Sequence, residues 1–390
     1  MFAKKENRRI ILTFSLVMLM YGLVLSLEQL ILDDVQELYN ANAQIMGFAV
    51  SIKSIVMFIV PILMGLVADK KGKKFVLLIF LGVNVFGCCI IGASNTLFLY
   101  ILGTAFLGAG CSTCESMSVS CFPDIDMENG AQIGNFVQTI FACGAGTMPI
   151  VISLLMQKGI VSWRAGYLFA AAMYIFLVLR FSKLQFPKPQ LEVNNEEAEQ
   201  SDNSKKITFK QILTILFIVL FAIIAVYVLL ENSFAYFIDS LTSSKNIGSA
   251  GAYALAFYWY GMAISRLFIA TRKEVKEIKV IRICYIFSAI FIALVTVVNS
   301  PVLSVVLCLL AGIAFGPIWP TLVAYAGRKY KGAASLVSII VAGGGLGGII
   351  GPAITGTLAK NVSFVAAFAV LTVFAICGAL LTLAVKKEEQ

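Results

Sequence analysis

Five ionisable residues stand inside long apolar stretches of this chain: Glu28, Lys53, Glu115, Glu231 and Arg266. A charge inside hydrocarbon is costly unless it is paired or hydrated, so each marks a candidate for function. Burial disfavours the ionised form of a carboxylate, which suits Glu28, Glu115 and Glu231 to reversible proton binding. Glu28 lies towards one end of its stretch, beside Asp33, Asp34 and Glu37, where exposure at the membrane interface is the competing expectation. Lys53 either snorkels outward or neutralises Glu28 from the adjacent helix, and pairing is the expectation. Arg266 stands near the inner end of its stretch, where it is expected to hold helix ends together. Asn232 beside Glu231, Tyr227 one turn earlier, Tyr258 and Trp319 could contact a solute, although most membrane aromatics pack or anchor at an interface.

The elements that must position these groups follow from composition. Of 390 residues, 59% are apolar and only 13% charged, against roughly 45–50% and a quarter in soluble domains. A soluble fold could not hide that much apolar surface, and disorder requires the opposite balance. The reading is an integral membrane protein. Nine cysteines are too dilute for a disulfide scaffold. Cys111 and Cys114 form a CxxC inside a membrane stretch, without a second pair, and read as small packing residues. The chain has no histidine, which excludes histidine relays, His-containing metal sites and His-dependent triads. No cofactor is expected beyond a proton gradient, and no enzyme constellation is present.

Stretches of about 20 mainly apolar residues occur at 10–32, 45–68, 75–94, 96–122, 130–157, 163–183, 209–238, 247–271, 279–298, 301–327, 332–359 and 362–385. With both termini cytoplasmic, 24 of the 30 basic residues fall in inner segments, four outside and two within spans. That bias fixes the orientation. It also explains the net charge of +9 without nucleic acid, because the basic residues sit in short clusters between spans. The expected fold is all-α: twelve transmembrane helices as two pseudo-symmetric six-helix bundles, 1–183 and 209–390, joined by a solvated linker, 184–208. Gly144, Gly146 and Pro149 in the fifth span are echoed by the glycine run and Pro352 in the eleventh. Such repeats place a solute site at their interface near the bilayer midplane.

Between the second and third spans the chain reads Gly65-Leu66-Val67-Ala68-Asp69-Lys70-Lys71-Gly72-Lys73-Lys74. This resembles the GxLaDrxGrk signature of the major facilitator superfamily, with lysines for arginines. Here Gly65 is expected to allow close helix contact and Asp69 to cap or pair at a neighbouring helix end, a role in gating rather than binding. YVLLENSFAYFIDSL (227–241), FYWYGMAISRLF (257–268), AFGPIWPTLVAYA (314–326) and GGGLGGIIGPAITG (343–356) resemble the fucose–galactose–glucose:proton symporter group and its sugar-transporter-like relatives. CESMSVSCF (114–122) is similar to that group's LETAANPF, with Glu115 on the motif glutamate. Val119 and Ser120 replace the Asn-Pro, Phe237 stands for a tryptophan, and the first-span acid is displaced to Glu28.

The resemblance implies a monomeric transporter of the cell membrane with a carboxylate-linked proton step. The leading expectation is symport of a small, sugar-like polar solute by alternating access, with Glu115 as the main protonation site. The alternative is proton-coupled efflux of cationic or amphiphilic molecules. Against it, Gly146 is followed by Thr147 and Met148 rather than by the proline typical of drug antiporters. A non-transporting receptor that kept the fold is a third, weaker reading.

Overall fold

Apolar runs of this length leave the backbone only its own carbonyls to bond with, and the chain resolves accordingly into helices. The computed structural model describes residues 5–125, 130–184, 186, 214–270, 276–330 and 334–388. The first half contains α1 (Lys5–Leu30), the short α2 (Leu32–Leu38), α3 (Ala43–Lys71), α4 (Lys73–Gly92), α5 (Leu97–Ile125), α6 (Gly130–Gln157) and α7 (Trp163–Ser182). The second contains α8 (Ile215–Ser244), α9 (Gly251–Ala270), α10 (Glu277–Val297), α11 (Pro301–Phe315), α12 (Ile318–Lys329), α13 (Ala334–Asn361) and α14 (Phe364–Glu388). Among the described residues, eleven helical segments are long and apolar enough to cross a membrane. Large apolar side chains such as Ile62, Phe98 and Val302 face outward, as a lipid-facing surface requires.

Local chemistry sets the helix ends. Asn42 caps α3 by accepting from the Ile45 N–H at 3.0 Å, and Thr214 caps α8 through Phe217. Ser300 caps α11, with Pro301 in its first turn. Gly72, at φ 87°, closes α3 and opens α4, a reversal that a residue with a Cβ rarely adopts. Lys74 then donates to the Ser182 and Leu184 carbonyls at 2.9 and 2.7 Å, tying the start of α4 to the end of α7.

Several boundaries differ from the sequence reading. α8 occupies 215–244 rather than 209–238, because Asp239, Ser240 and Thr242 continue the helix and pack at its far end instead of entering a loop. The expected eighth span is the helix α9, but its tyrosines, Trp259 and Arg266 keep it outside the eleven apolar segments. The tenth span is two helices, broken where Gly316 and Pro317 intervene. Gly65 meets no neighbour within 4 Å of a would-be Cβ, so the expected close contact is absent there. Around it Ile62, Leu63 and Leu66 are exposed, while Val60, Met64 and Val67 pack against the core. The Asp69 side chain lies outside the described residues, as does the expected linker apart from Leu184 and Phe186.

Helices α1 to α7 pack on one another, as do α8 to α14, and the two sets meet along α3 with α13 and α6 with α9. The α3–α13 seam is close because Gly47 lies directly against the Pro352 carbonyl and Gly356. Ser51 Oγ lies 2.6 Å from the Ile349 carbonyl, and Lys360 donates to Gln44 at 2.9 Å. On the other side Gly146 accepts the Tyr260 ring, whose hydroxyl is 3.0 Å from Thr147 Oγ1. These contacts close the end that carries Asn42 and Lys245.

Candidate functional site

Two clusters of charge lie between the helix sets, on α1, α3, α5, α8 and α9. In the first, Lys53 Nζ on α3 is 2.5 Å from Glu28 Oε2 on α1, with both side chains 4% exposed. Tyr236 of α8 completes the cluster across the interface. Its hydroxyl accepts from Lys53 at 3.1 Å and donates to Glu28 Oε1 at 3.3 Å. Glu28 is therefore buried and ion-paired rather than exposed at the interface. Next to Glu28 in sequence, Gln29 Oε1 accepts from the Trp259 indole at 3.0 Å, and one turn beyond Tyr236, Ser240 donates to Asp33.

The second cluster lies on α5, α6, α8 and α9. Glu115 on α5 accepts from the Gln138 amide of α6 at 2.7 Å. Facing it, Glu231 on α8 accepts from Tyr227 at 2.8 Å and lies 3.7 Å from Arg266 Nη2 on α9. Glu115 is close enough to Arg266 and Glu231 for their charges to interact, and the Tyr21 ring of α1 lies within range of both carboxylates. Arg266 thus belongs to the central cluster rather than to a helix-end clamp. Its second anchor has a backbone origin. Pro320 has no N–H, which leaves the Gly316 carbonyl without its helical partner, and Arg266 Nε donates to it at 3.2 Å.

Charge accounting separates the carboxylates. Glu28 is matched by Lys53, and Glu231 by Arg266. Glu115 has a neutral amide as its hydrogen-bond partner, so the two clusters together hold three carboxylates against two cations. Of the three, Glu115 alone has no ion-pair partner among the described residues. Aromatic rings stand beside this cluster, with Tyr21 and Phe141 at 5.0 Å between centroids and Phe141 against Trp259 at 5.6 Å.

The remaining candidates separate by position. Tyr227 is in the central cluster. Asn232 lies at the α8–α13 contact, where its amide and Ser54 face Gly348. Tyr258 is fully buried within the second helix set, its ring 4.7 Å from Phe234, and Trp319 is half-buried on α12. Sequence reasoning missed Gln138, Tyr236, Tyr21 and Gln29. The signal for Gln138 was an uncharged amide in an apolar stretch, and Tyr236 sat within the quoted seventh-span motif. The nine cysteines are all free. Cys111 and Cys114 both face Asn84, at 3.4 and 3.8 Å. Among the described residues, no group of three or more Cys, Asp or Glu is arranged to hold a metal ion.

Comparison with known proteins agrees with this architecture. The chain is similar over 98% of its length to a point mutant of the nucleoside transporter NupG, covering 100% of that chain, at 15% identity and a TM-score of 0.72. It is similar over 97% to the E. coli xylose transporter XylE in a partially occluded inward-open form, covering 99% of that chain, at 14% identity and a TM-score of 0.77. A bacterial homologue of the human lysosomal transporter Spinster, inward-facing and occupied, aligns over 99% and 98% of the two chains, at 11% identity and a TM-score of 0.75. No curated protein matches the chain in sequence. The family model of the Major Facilitator Superfamily matches residues 10–339 and 278–390. The chain belongs to the Major Facilitator Superfamily, and is a membrane transporter rather than an enzyme.

Proposed function

We propose that the protein is a proton-coupled symporter that carries a small, sugar-like polar solute across the cell membrane by alternating access. Its architecture in this reading is twelve spans in two six-helix bundles, 1–183 and 209–390, with linker and termini cytoplasmic, acting as a monomer. The observation that carries the reading is Glu115, a carboxylate in the middle of the fold with a neutral amide for its partner. Opposite it, Tyr227, Glu231 and Arg266 offer donors and acceptors of the kind a hydroxylated solute matches. With the termini cytoplasmic in this reading, closure at the end carrying Asn42 corresponds to an inward-facing arrangement, the form described for the Spinster homologue and, partially occluded, for XylE.

Protonation of Glu115 would remove the unmatched charge and let the two bundles re-pack around a neutral interior. Glu115→Gln mimics that state permanently. In proteoliposomes, uptake driven by a proton gradient should vanish while substrate counterflow, which needs no net proton release, survives. Undiminished gradient-driven uptake would remove Glu115 from the coupling role.

A second reading rests on the same unmatched charge. With Tyr21, Phe141 and Trp259 beside it, the site also suits an amphipathic cation exchanged for protons. Binding assays with sugars, nucleosides and organic cations on the purified protein separate the two. Protection by cations alone would favour efflux.

A further inference from the structure

On the lipid-facing side of the second helix set, α10 and α14 diverge enough to leave a furrow of ≈ 560 Å³ that is almost wholly apolar. Its floor is made of alanines, with Ala293 and Ala379 between walls formed by Ile286, Ile376 and Leu383, all more than 40% exposed. At one end stands Arg282. From Arg282 to Ala293 is eleven residues of helix, or about 16 Å. That matches one leaflet of a hydrocarbon core about 30 Å thick.

The arginine is held but not neutralised. Arg282 Nε donates to Thr382 Oγ1 at 2.9 Å and Nη2 to the Thr382 carbonyl at 3.0 Å, which fixes the guanidinium over the mouth of the furrow. Among the described residues no carboxylate pairs with it, since Glu277 one turn away is taken by Arg328. Its remaining N–H groups keep the fork that binds phosphate bidentately. Lys279, three residues earlier on the same face, is exposed. The other helix set offers a contrast. Lys74, which joins α4 to α7, spends its ammonium on two backbone carbonyls.

We propose that this furrow is a site for one anionic phospholipid, with an acyl chain along α10 and α14 and its phosphate on Arg282. Lipid tails are as apolar as the furrow, so chain contact alone selects nothing. Selection comes from the headgroup, as in basic pockets between transmembrane helices. The site lies on the outer surface of the helix set, separate from the Glu115 cluster, and does not depend on which solute is carried.

Native mass spectrometry of the full-length protein, titrated with phosphatidylglycerol or phosphatidylcholine of identical chains, tests this. One phosphatidylglycerol adduct should persist at about fivefold lower lipid than the phosphatidylcholine adduct, the factor expected for one surface cation. Arg282→Gln should bring the two lipids level, and Ala379→Phe, which fills the furrow, should remove the tight adduct. An Ile62→Phe control on the opposite bundle should change neither. Equal retention of both lipids by the unaltered protein overturns the proposal. So does a preference that survives both Arg282→Gln and Ala379→Phe. A dimer lost in Ala379→Phe without any lipid preference would assign the furrow to a second copy instead.

Discussion

Glu28 and Lys53 form a fully buried ion pair at 2.5 Å, and the hydroxyl that touches both, Tyr236, comes from the other helix set. Taking two charges out of water is repaid only when every remaining donor and acceptor is satisfied. Lys53→Met leaves Glu28 without its cation and should cost about 3–5 kcal/mol, read as a lower Tm in detergent. Glu28→Leu combined with Lys53→Met removes both charges and should recover most of that loss. A double variant as unstable as Lys53→Met would show that the pair's geometry, not the stranded charge, matters.

The amide on Glu115 gives a second prediction. Gln138→Leu removes a hydrogen bond to the charged form, a loss of about 1.5–3 kcal/mol. Gradient-driven uptake should fall while counterflow is kept. The combination with Glu115→Gln should be no worse than Glu115→Gln alone, because the two residues act as one unit. Additive losses in that cycle would assign Gln138 a separate role.

Closure of the Asn42 end depends on backbone approach at Gly47. Gly47→Leu drives a side chain into the Pro352 carbonyl and Gly356, which favours the open arrangement of that end. Spin labels at Leu38 and Ser244 should move apart in the variant, and steady-state uptake should collapse. An unchanged distance distribution would mean that the seam between α3 and α13 can re-pack.

Acid should favour closure at the same end. Loss of water raises the carboxyls of Asp33 and Asp34 above the ordinary range. For Asp33, bonds from Ser240, Gln36 and Ser243 oppose that rise, and for Asp34 the charges of Asp33 and Glu37 add to it. Asp239 faces the same cavity of ≈ 180 Å³ as Asp34. The closed form therefore binds more protons than the open one. Its stabilisation is full below the ordinary aspartate range, about pH 4, and is lost as pH rises through the raised values. The Leu38–Ser244 distance should lengthen with rising pH, and Asp34→Asn should flatten that dependence.

Hydropathy made the membrane spans legible, and the glycines of the fifth and eleventh spans mark close helix approaches, some within a helix set and some, as at Gly146 and Gly356, between the sets. Positions within the membrane were harder to read. Arg266 counts as a near-terminal residue of its span, yet a long side chain and the carbonyl freed by Pro320 carry it to the central cluster. Glu28 gave no sign of depth, because its second partner, Tyr236, is 208 residues away. Gln138 carries no charge and so stood out from no background. The end of α8 was misplaced because hydropathy weighs Asp239 and Ser240 as loop residues, whereas the bond from Ser240 to Asp33 holds that end in a helix.

The break in the tenth span ties two kinds of chemistry together. One guanidinium is shared between Glu231 and the Gly316 carbonyl, and the sharing exists because residue 320 is an imino acid. A residue with an N–H at that position would offer the carbonyl a backbone donor in competition with the guanidinium. The hold on one arm of the central cluster thus depends on an imino acid that lies outside the cluster.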